Sequence, residues 1–357
     1  MDYDGSQSAF ASSINYTVRE YASDVVYRIK SACDEAGLPH PAIISESGRA
    51  MVANSTMMVV DVLGRTRFPS DPDLPSIHAA TKGESRTPQP LTDLLEAWDR
   101  IQAPLVDAQH DVLQVYHDAM QAREEALSLF SLGYLSLPMR AACERLFWAI
   151  GRRILALTDN KPGDRHDELS ELPQALSDIY FCNFSVFQSM PDSWAVDQLF
   201  PIVPIQRLDE EPTRRGVLAD ITCDSDGQVN RFSCSDSRLF KETLELHDLR
   251  DGEPYYLGIF LLGAYQEVLG DLHNLFGDTH VVHVSLTDDG RWTIDEVVEG
   301  DTVKEVLSYV QFDVEDLERA VRREVEKAVQ SGVMVVSEAK ALMKFYEGGL
   351  EGYTYLE

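Results

Sequence analysis

The sequence is short of positive charge. Its 357 residues hold 31 lysines and arginines against 60 aspartates and glutamates, a formal net charge of −29. A nucleic-acid binder needs a basic face to meet phosphates, so that class is disfavoured, and an anionic membrane surface is an equally poor partner. Long apolar runs are missing too: none approaches the ~18 residues of a spanning helix. The opening, MDYDGSQSAF, has neither the basic start nor the apolar stretch of a secretory signal. No CxxC occurs, and the five cysteines (Cys33, Cys143, Cys182, Cys223, Cys234) are an odd, scattered set. That pattern fits neither a disulfide framework nor a zinc site. It fits a reducing compartment, and the expectation is cytoplasm. What is present is 44% hydrophobic residues, enough to fill real cores and exclude wholesale disorder.

The chain opens on Tyr3-Asp4-Gly5, which reads as a strand end and turn. A helix follows, with apolar positions at Tyr16, Tyr21, Val25, Ile29 and Cys33, stopped by Gly37-Leu38-Pro39. Two strands come next, Ala42–Ile44 and Met57–Leu63, then a breaker-rich stretch from Pro69 to Pro90. From Leu91 to Met190 the periodicity is helical, with stripes at Leu94-Leu95-Trp98-Ile101 (ended by Pro104), Val106–Leu132 and Arg140–Leu157. Beyond Ala195 short apolar runs alternate with turns: Phe200–Ile205, Gly216–Thr222, Tyr255–Phe260, His280–Val284 and Arg291–Ile294 read as strands. Asp313–Phe345 returns to helix, with Leu317, Val321, Val325 and Val329 at fourth-residue spacing. The prediction is therefore an α/β plus all-β chain in four parts. Residues 1–84 are the last units of an α/β layer or (β/α)8 barrel and 85–192 a helical insertion. Residues 193–300 form an antiparallel β-barrel or sandwich, and 301–357 a helical tail.

Four stretches carry chemistry. Ser45-Glu46-Ser47-Gly48-Arg49 follows a strand, where α/β folds place ligands. Gly48 lets backbone approach an anion, and Arg49 offers a fork for phosphate. Glu46 beside a phosphate site is awkward unless it serves another part of the ligand; pyridoxal phosphate, with a phosphate and a basic ring nitrogen, resolves the conflict. The competing reading is a chance helix start. Thr222-Cys223-Asp224-Ser225-Asp226 puts a thiol and two carboxylates at a strand end. It is either an Asx-type turn with an incidental cysteine or a proton-transfer group beside an acid for a cation. Tyr265, in Gly263-Ala264-Tyr265-Gln266, is a phosphate ligand or a core aromatic with a satisfied hydroxyl. Asp197, in an apolar segment, either caps a turn or waits for a cation.

Longer stretches resemble the biosynthetic arginine decarboxylase family, a pyridoxal-phosphate enzyme of the alanine-racemase and ornithine-decarboxylase fold type. They are D-x-W-A-V-D-Q-L-F-P-I-x-P-I from Asp192, E-E-P-T-R-R-G-V-L-A-D-I-T-C-D-S-D-G over Glu210 to Gly227, and P-Y-Y-L-G-I-F-L-L-G-A-Y-Q-E with L-G-D-L-H-N-L-F-G-D over Pro254 to Asp278. G-L-P-H-P-A-I-I-S-E-S-G-R-A over Gly37 to Ala50 agrees, so the resemblance spans nearly the whole chain. It implies decarboxylation of arginine to agmatine and carbon dioxide, feeding polyamine (putrescine and spermidine) synthesis, and a pyridoxal-phosphate-binding barrel for residues 1–84. It implies Glu46 at the pyridinium nitrogen, with Gly48, Arg49 and Tyr265 at the phosphate. Cys223 resembles the thiol that protonates the α-carbon. Asp224 resembles the acid for the distal guanidinium, with Asp197 as a second such acid. In this fold type the Cys-Asp strand end enters the neighbouring subunit's site, which implies a homo-oligomer with shared sites. A magnesium requirement is implied as well, without a ligand cluster in the sequence.

One departure weighs against the matches. The family's Schiff-base lysine and glycine-rich phosphate loop lie upstream of anything here, and none of the eight lysines (Lys30, Lys82, Lys161, Lys241, Lys304, Lys327, Lys340, Lys344) has that lysine's context. The chain reads as the carboxyl-terminal portion of a longer protein, needing an amino-terminal half that a separate chain could supply. Two alternatives stand beside it: a non-catalytic regulatory homologue, and an acidic scaffold in which Cys223 and Asp224 are turn residues.

Overall fold

The computed structural model describes residues 16–46, 48–67, 72–80, 87–103, 108–158, 169, 172–234 and 240–356. Helix α1 (Val18–Ala36) begins where Thr17 and Glu20 cap each other reciprocally, and ends at Gly37, whose φ of +65° only a residue without Cβ adopts cheaply. The expected strand at Ala42–Ile44 is not formed. No strand pairs with this segment among the described residues, and without a partner its backbone stays as exposed coil, with Ile44 92% exposed. Helix α2 (Gly48–Val52) and a 3₁₀ turn at Ala53–Ser55 lead into β1 (Met58–Thr66).

A helical block follows: α3 (Leu74–Ala80), α4 (Gln89–Gln102), α5 (Ala108–Ser131), α6 (Leu137–Thr158) and α7 (Leu172–Ala175). Its core is built where the apolar stripes meet: Leu91, Leu94 and Ile101 of α4, Val112 and Val115 of α5, and Leu146, Ile150 and Ile154 of α6. Ala119, Ala122 and Ala126 make one face of α5 small, which lets its neighbours come close. Pro104 lies outside the described residues.

The sheet takes β2 (Asp178–Cys182) from inside the stretch read as helical. After α8 (Val186–Ser189) and α9 (Pro191–Val196) come β3 (Ile202–Pro204), β4 (Arg214–Ala219), β5 (Gln228–Val229), β6 (Leu244–Leu246) and β7 (Tyr256–Ile259). The strand order is β3-β7-β1-β2-β4-β5, with β6 also on β4. Every described pairing is antiparallel except β2 with β4, where Asp178 lies opposite Gly216 and Phe181 opposite Ala219. Within 193–300 the described pairings are all antiparallel, but the sheet extends beyond that range. Two strands, β1 and β2, come from outside that range, because Val60, Val62, Tyr180 and Cys182 share one buried face with Leu218, Leu257 and Ile259. A separate ribbon, β8 (Val281–Leu286) with β9 (Trp292–Val298), precedes the tail helices α10 (Val303–Tyr309), α11 (Val314–Gln330) and α12 (Val336–Leu350).

Candidate active site

The path from β7 back to α2 builds the first cluster. After β7 the chain turns, and Leu262 and Gly263 donate their N–H groups to Thr56 and Ala53 carbonyls at 3.1 and 2.9 Å. Gly263 is required there, since a Cβ would collide with the Val52 carbonyl oxygen. This docking delivers Tyr265, at a left-handed φ of +71°, onto the start of α2. A Cβ at Gly48 would stand 2.7 Å from Tyr265 Oη, so the bare glycine keeps a space under that hydroxyl. The Arg49 guanidinium lies 5.0 Å from the Tyr265 ring centre. Hydroxyl, guanidinium and open backbone together suit a phosphate-sized anion. Glu46 precedes this cradle as an exposed side chain, and Ser47 lies outside the described residues.

Sequence reading missed the acid that completes this cluster. Arg49 Nη2 donates to Asp192 Oδ2 at 2.6 Å, and both side chains are nearly buried. Gln266, the neighbour of Tyr265, donates to the same oxygen at 2.7 Å and accepts from the Asp192 N–H at 3.1 Å. Its amide also donates to the Ala264 carbonyl. A nearly buried carboxylate is tolerated because two donors satisfy it. The available signal was a carboxylate after Pro191 in a largely apolar segment, the same kind that singled out Asp197. Asp197 ends α9 at φ +55° and, exposed, accepts from Arg231 at 3.0 Å.

Cys223 and Asp224 belong to a second cluster. Buried Asp220 anchors the turn, accepting from the N–H groups of Val186 and Thr222 and the Thr222 hydroxyl. Burial pushes its carboxyl above the ordinary value against those donors. Asp224 Oδ1 accepts from Asp226 N–H at 2.9 Å, so the Asx turn is real. Its other oxygen is 3.9 Å from His273 Nε2. Cys223 is exposed, held by Asn274.

Of the lysines, Lys30, Lys241, Lys304 and Lys327 pair with Asp34, Glu245, Glu351 and Glu324, while Lys340 and Lys344 sit on α12. Lys82 and Lys161 lie outside the described residues. Among the described residues no three His, Cys, Asp or Glu gather to hold a metal ion, and no helix is long and apolar enough to cross a membrane.

The fold and clusters define a mixed α/β protein with a helical insertion and tail, in which Gly48, Arg49 and Tyr265 meet against a nearly buried carboxylate. The arginine decarboxylase helical bundle domain matches residues 84–173, and the arginine decarboxylase C-terminal helical extension matches 303–356. The chain is 46% identical over 380 residues to a biosynthetic arginine decarboxylase of Rhodopirellula baltica and 48% over 356 residues to one of Thermosynechococcus vestitus. Both alignments cover all of this chain, but 55% and 53% of those proteins. The crystal structure of the biosynthetic arginine decarboxylase from Campylobacter jejuni superposes with a TM-score of 0.77 at 30% identity, over 96% of this chain and 52% of that one. The chain is thus similar to arginine decarboxylases, and spans about half the length of the curated relatives it matches.

Proposed function

We propose that this chain contributes to decarboxylation of arginine to agmatine and carbon dioxide, in a site completed by residues from the part of its relatives that it does not span. The observation that carries this is the convergence of Gly48, Arg49 and Tyr265 on one cradle, from segments more than 200 residues apart in the chain. Such a cradle fits the phosphate of pyridoxal phosphate, which when bound supplies the electron sink for loss of the carboxylate. Glu46 is the acid for the ring nitrogen in this reading. Asp192 fixes Arg49 against the cradle, and Asp197 serves as a second acid for a cationic substrate. Cys223 protonates the α-carbon, and Asp224 meets the guanidinium. The two clusters serve different sites in a homo-oligomer, the thiol turn of one copy completing the cradle of another. The barrel-remnant reading of residues 1–84, a cytoplasmic location and a place in polyamine synthesis go with this proposal. Magnesium gains no support from the described residues.

The test is reconstitution with the amino-terminal half of a relative. Release of carbon dioxide and agmatine from arginine by the mixture, and by neither part alone, is the expected result. An absorbance of lysine-bound cofactor from this chain alone would overturn the need for the other half. A silent mixture that still binds cofactor would leave a non-catalytic homologue.

A further inference from the structure

Both reactive residues of the second cluster are gripped by one short turn, and a single side chain in it holds Cys223 at two points. The Cys223 N–H donates to Asn274 Oδ1 at 2.9 Å, and Asn274 Nδ2 donates to Cys223 Sγ at 3.4 Å. The first contact fixes the amide's orientation: a backbone N–H can only donate, so the oxygen faces it. The amide nitrogen is then obliged to present its hydrogens to the sulfur. With that lone pair engaged, the thiol hydrogen must point away from Asn274, towards open space. A donor at sulfur also favours the thiolate left behind once the proton has gone.

The backbone is committed to this arrangement. Asn274 and Leu275 adopt φ of +56° and +61°, a region that asparagine tolerates better than most residues. The preceding His273 packs at a tilt against Phe187, with ring centres 4.8 Å apart, and faces Asp224. We propose that Asn274 is the positioning residue for Cys223, aiming the thiol hydrogen outward and stabilising the thiolate after proton delivery. This rests on reading Cys223 as the proton donor, but its test does not.

Alkylation of Cys223 by iodoacetamide in the full chain, followed by mass spectrometry of its peptide across pH, reads the thiol directly. The charged groups around it are Asp220, Asp224 and Asp226 on its own segment and His273 on the facing turn; all stay in place when only residue 274 is changed. Asn274→Asp keeps the acceptor for the Cys223 N–H and replaces the donor at sulfur with a carboxylate oxygen. Alkylation near neutral pH should slow about tenfold. Asn274→Gly keeps the left-handed backbone and removes both contacts, and should slow it about three- to tenfold. It carries the test should Asn274→Asp fail to fold. A parental profile in folded Asn274→Asp and Asn274→Gly variants overturns the proposal. In the reconstituted mixture, unchanged product formation by Cys223→Ala would instead sink the proton-donor reading, leaving the alkylation result to decide on Asn274.

Discussion

Asp178 is where the helical block and the sheet are electrostatically joined, and replacing it with asparagine should cost more than any other single charge change. Its carboxylate, 2% exposed, accepts from Arg214 Nε of β4 at 2.8 Å and has Arg152 of α6 and Arg65 of β1 at 3.6 and 3.9 Å. Arg65 also pairs with Asp248, and Arg152 donates to the Leu176 carbonyl at 3.3 Å. Three guanidinium groups therefore share two carboxylates. At an effective dielectric of about 20, a unit pair at 2.8 Å attracts by about 6 kcal/mol and the longer ones by about 4–5 each. Desolvation of Asp178 offsets most of that, so Asp178→Asn should lose about 3–5 kcal/mol, the usual cost of leaving a buried charge unpaired. Burial already holds the Arg152 pKa below its ordinary value despite Asp178, so removing the carboxylate worsens a strained balance. Urea unfolding followed by far-UV dichroism and by tryptophan fluorescence measures the loss and shows whether block and sheet still unfold together. Adding Arg152→Met should recover part of it, because one unneutralised cation leaves with the anion. A midpoint shift worth less than about 1 kcal/mol, or no recovery in the double variant, would refute this view of the cluster.

Two further changes probe the site and the core. Gly263→Ala forces a methyl against the Val52 carbonyl and should destabilise by about 1–3 kcal/mol, with loss of phosphate-ester affinity in the reconstituted mixture, checked by thermal unfolding and cofactor titration. Burial pushes the Cys143 thiol up to about 12 from an ordinary value of 9.0. Its protonated form is the one the fold prefers, so that stability is fully present below pH 9 and is lost as pH rises towards 12, by up to about 1.4 kcal/mol per unit. Cys143→Ala should flatten this alkaline limb in denaturant titrations at successive pH values.

What was legible in the sequence was what short-range chemistry controls. The Gly37 stop, the stripe of α4 and the apolar run of β1 are each written in neighbouring residues. Strand β2 was not, because Asp178-Ile179-Tyr180-Phe181-Cys182 is short and starts on a charge that makes sense only against Arg214, 36 residues on. Ala42–Ile44 shows the reverse failure, a good strand pattern with no pairing partner among the described residues. In the site, Gly48, Arg49 and Tyr265 could be picked out by residue type, while Asp192 required knowing that Gln266 folds back upon it. Asn274 had no local signal, since its meaning lies in a contact 51 positions away.

The segment from Leu261 to Leu275 explains why these two clusters hold their shapes. Among the described residues eight non-glycine residues have positive φ, and four of them, Leu261, Tyr265, Asn274 and Leu275, fall within this one stretch. Each such residue costs of order 1–3 kcal/mol and persists only if its surroundings over-determine it. Here they do: Leu262 and Gly263 are tied to Thr56 and Ala53, Gln266 to Asp192 and Ala264, and Asn274 to Cys223. Strained positions fall at both proposed clusters, Tyr265 at one end and Asn274 beside the thiol at the other. Tyr265 and Asn274 are nine positions apart, a reach of at most about 30 Å. One loop thus sets the geometry of an anion cradle and of a thiol turn together, and a change that loosens either anchor should be felt at both.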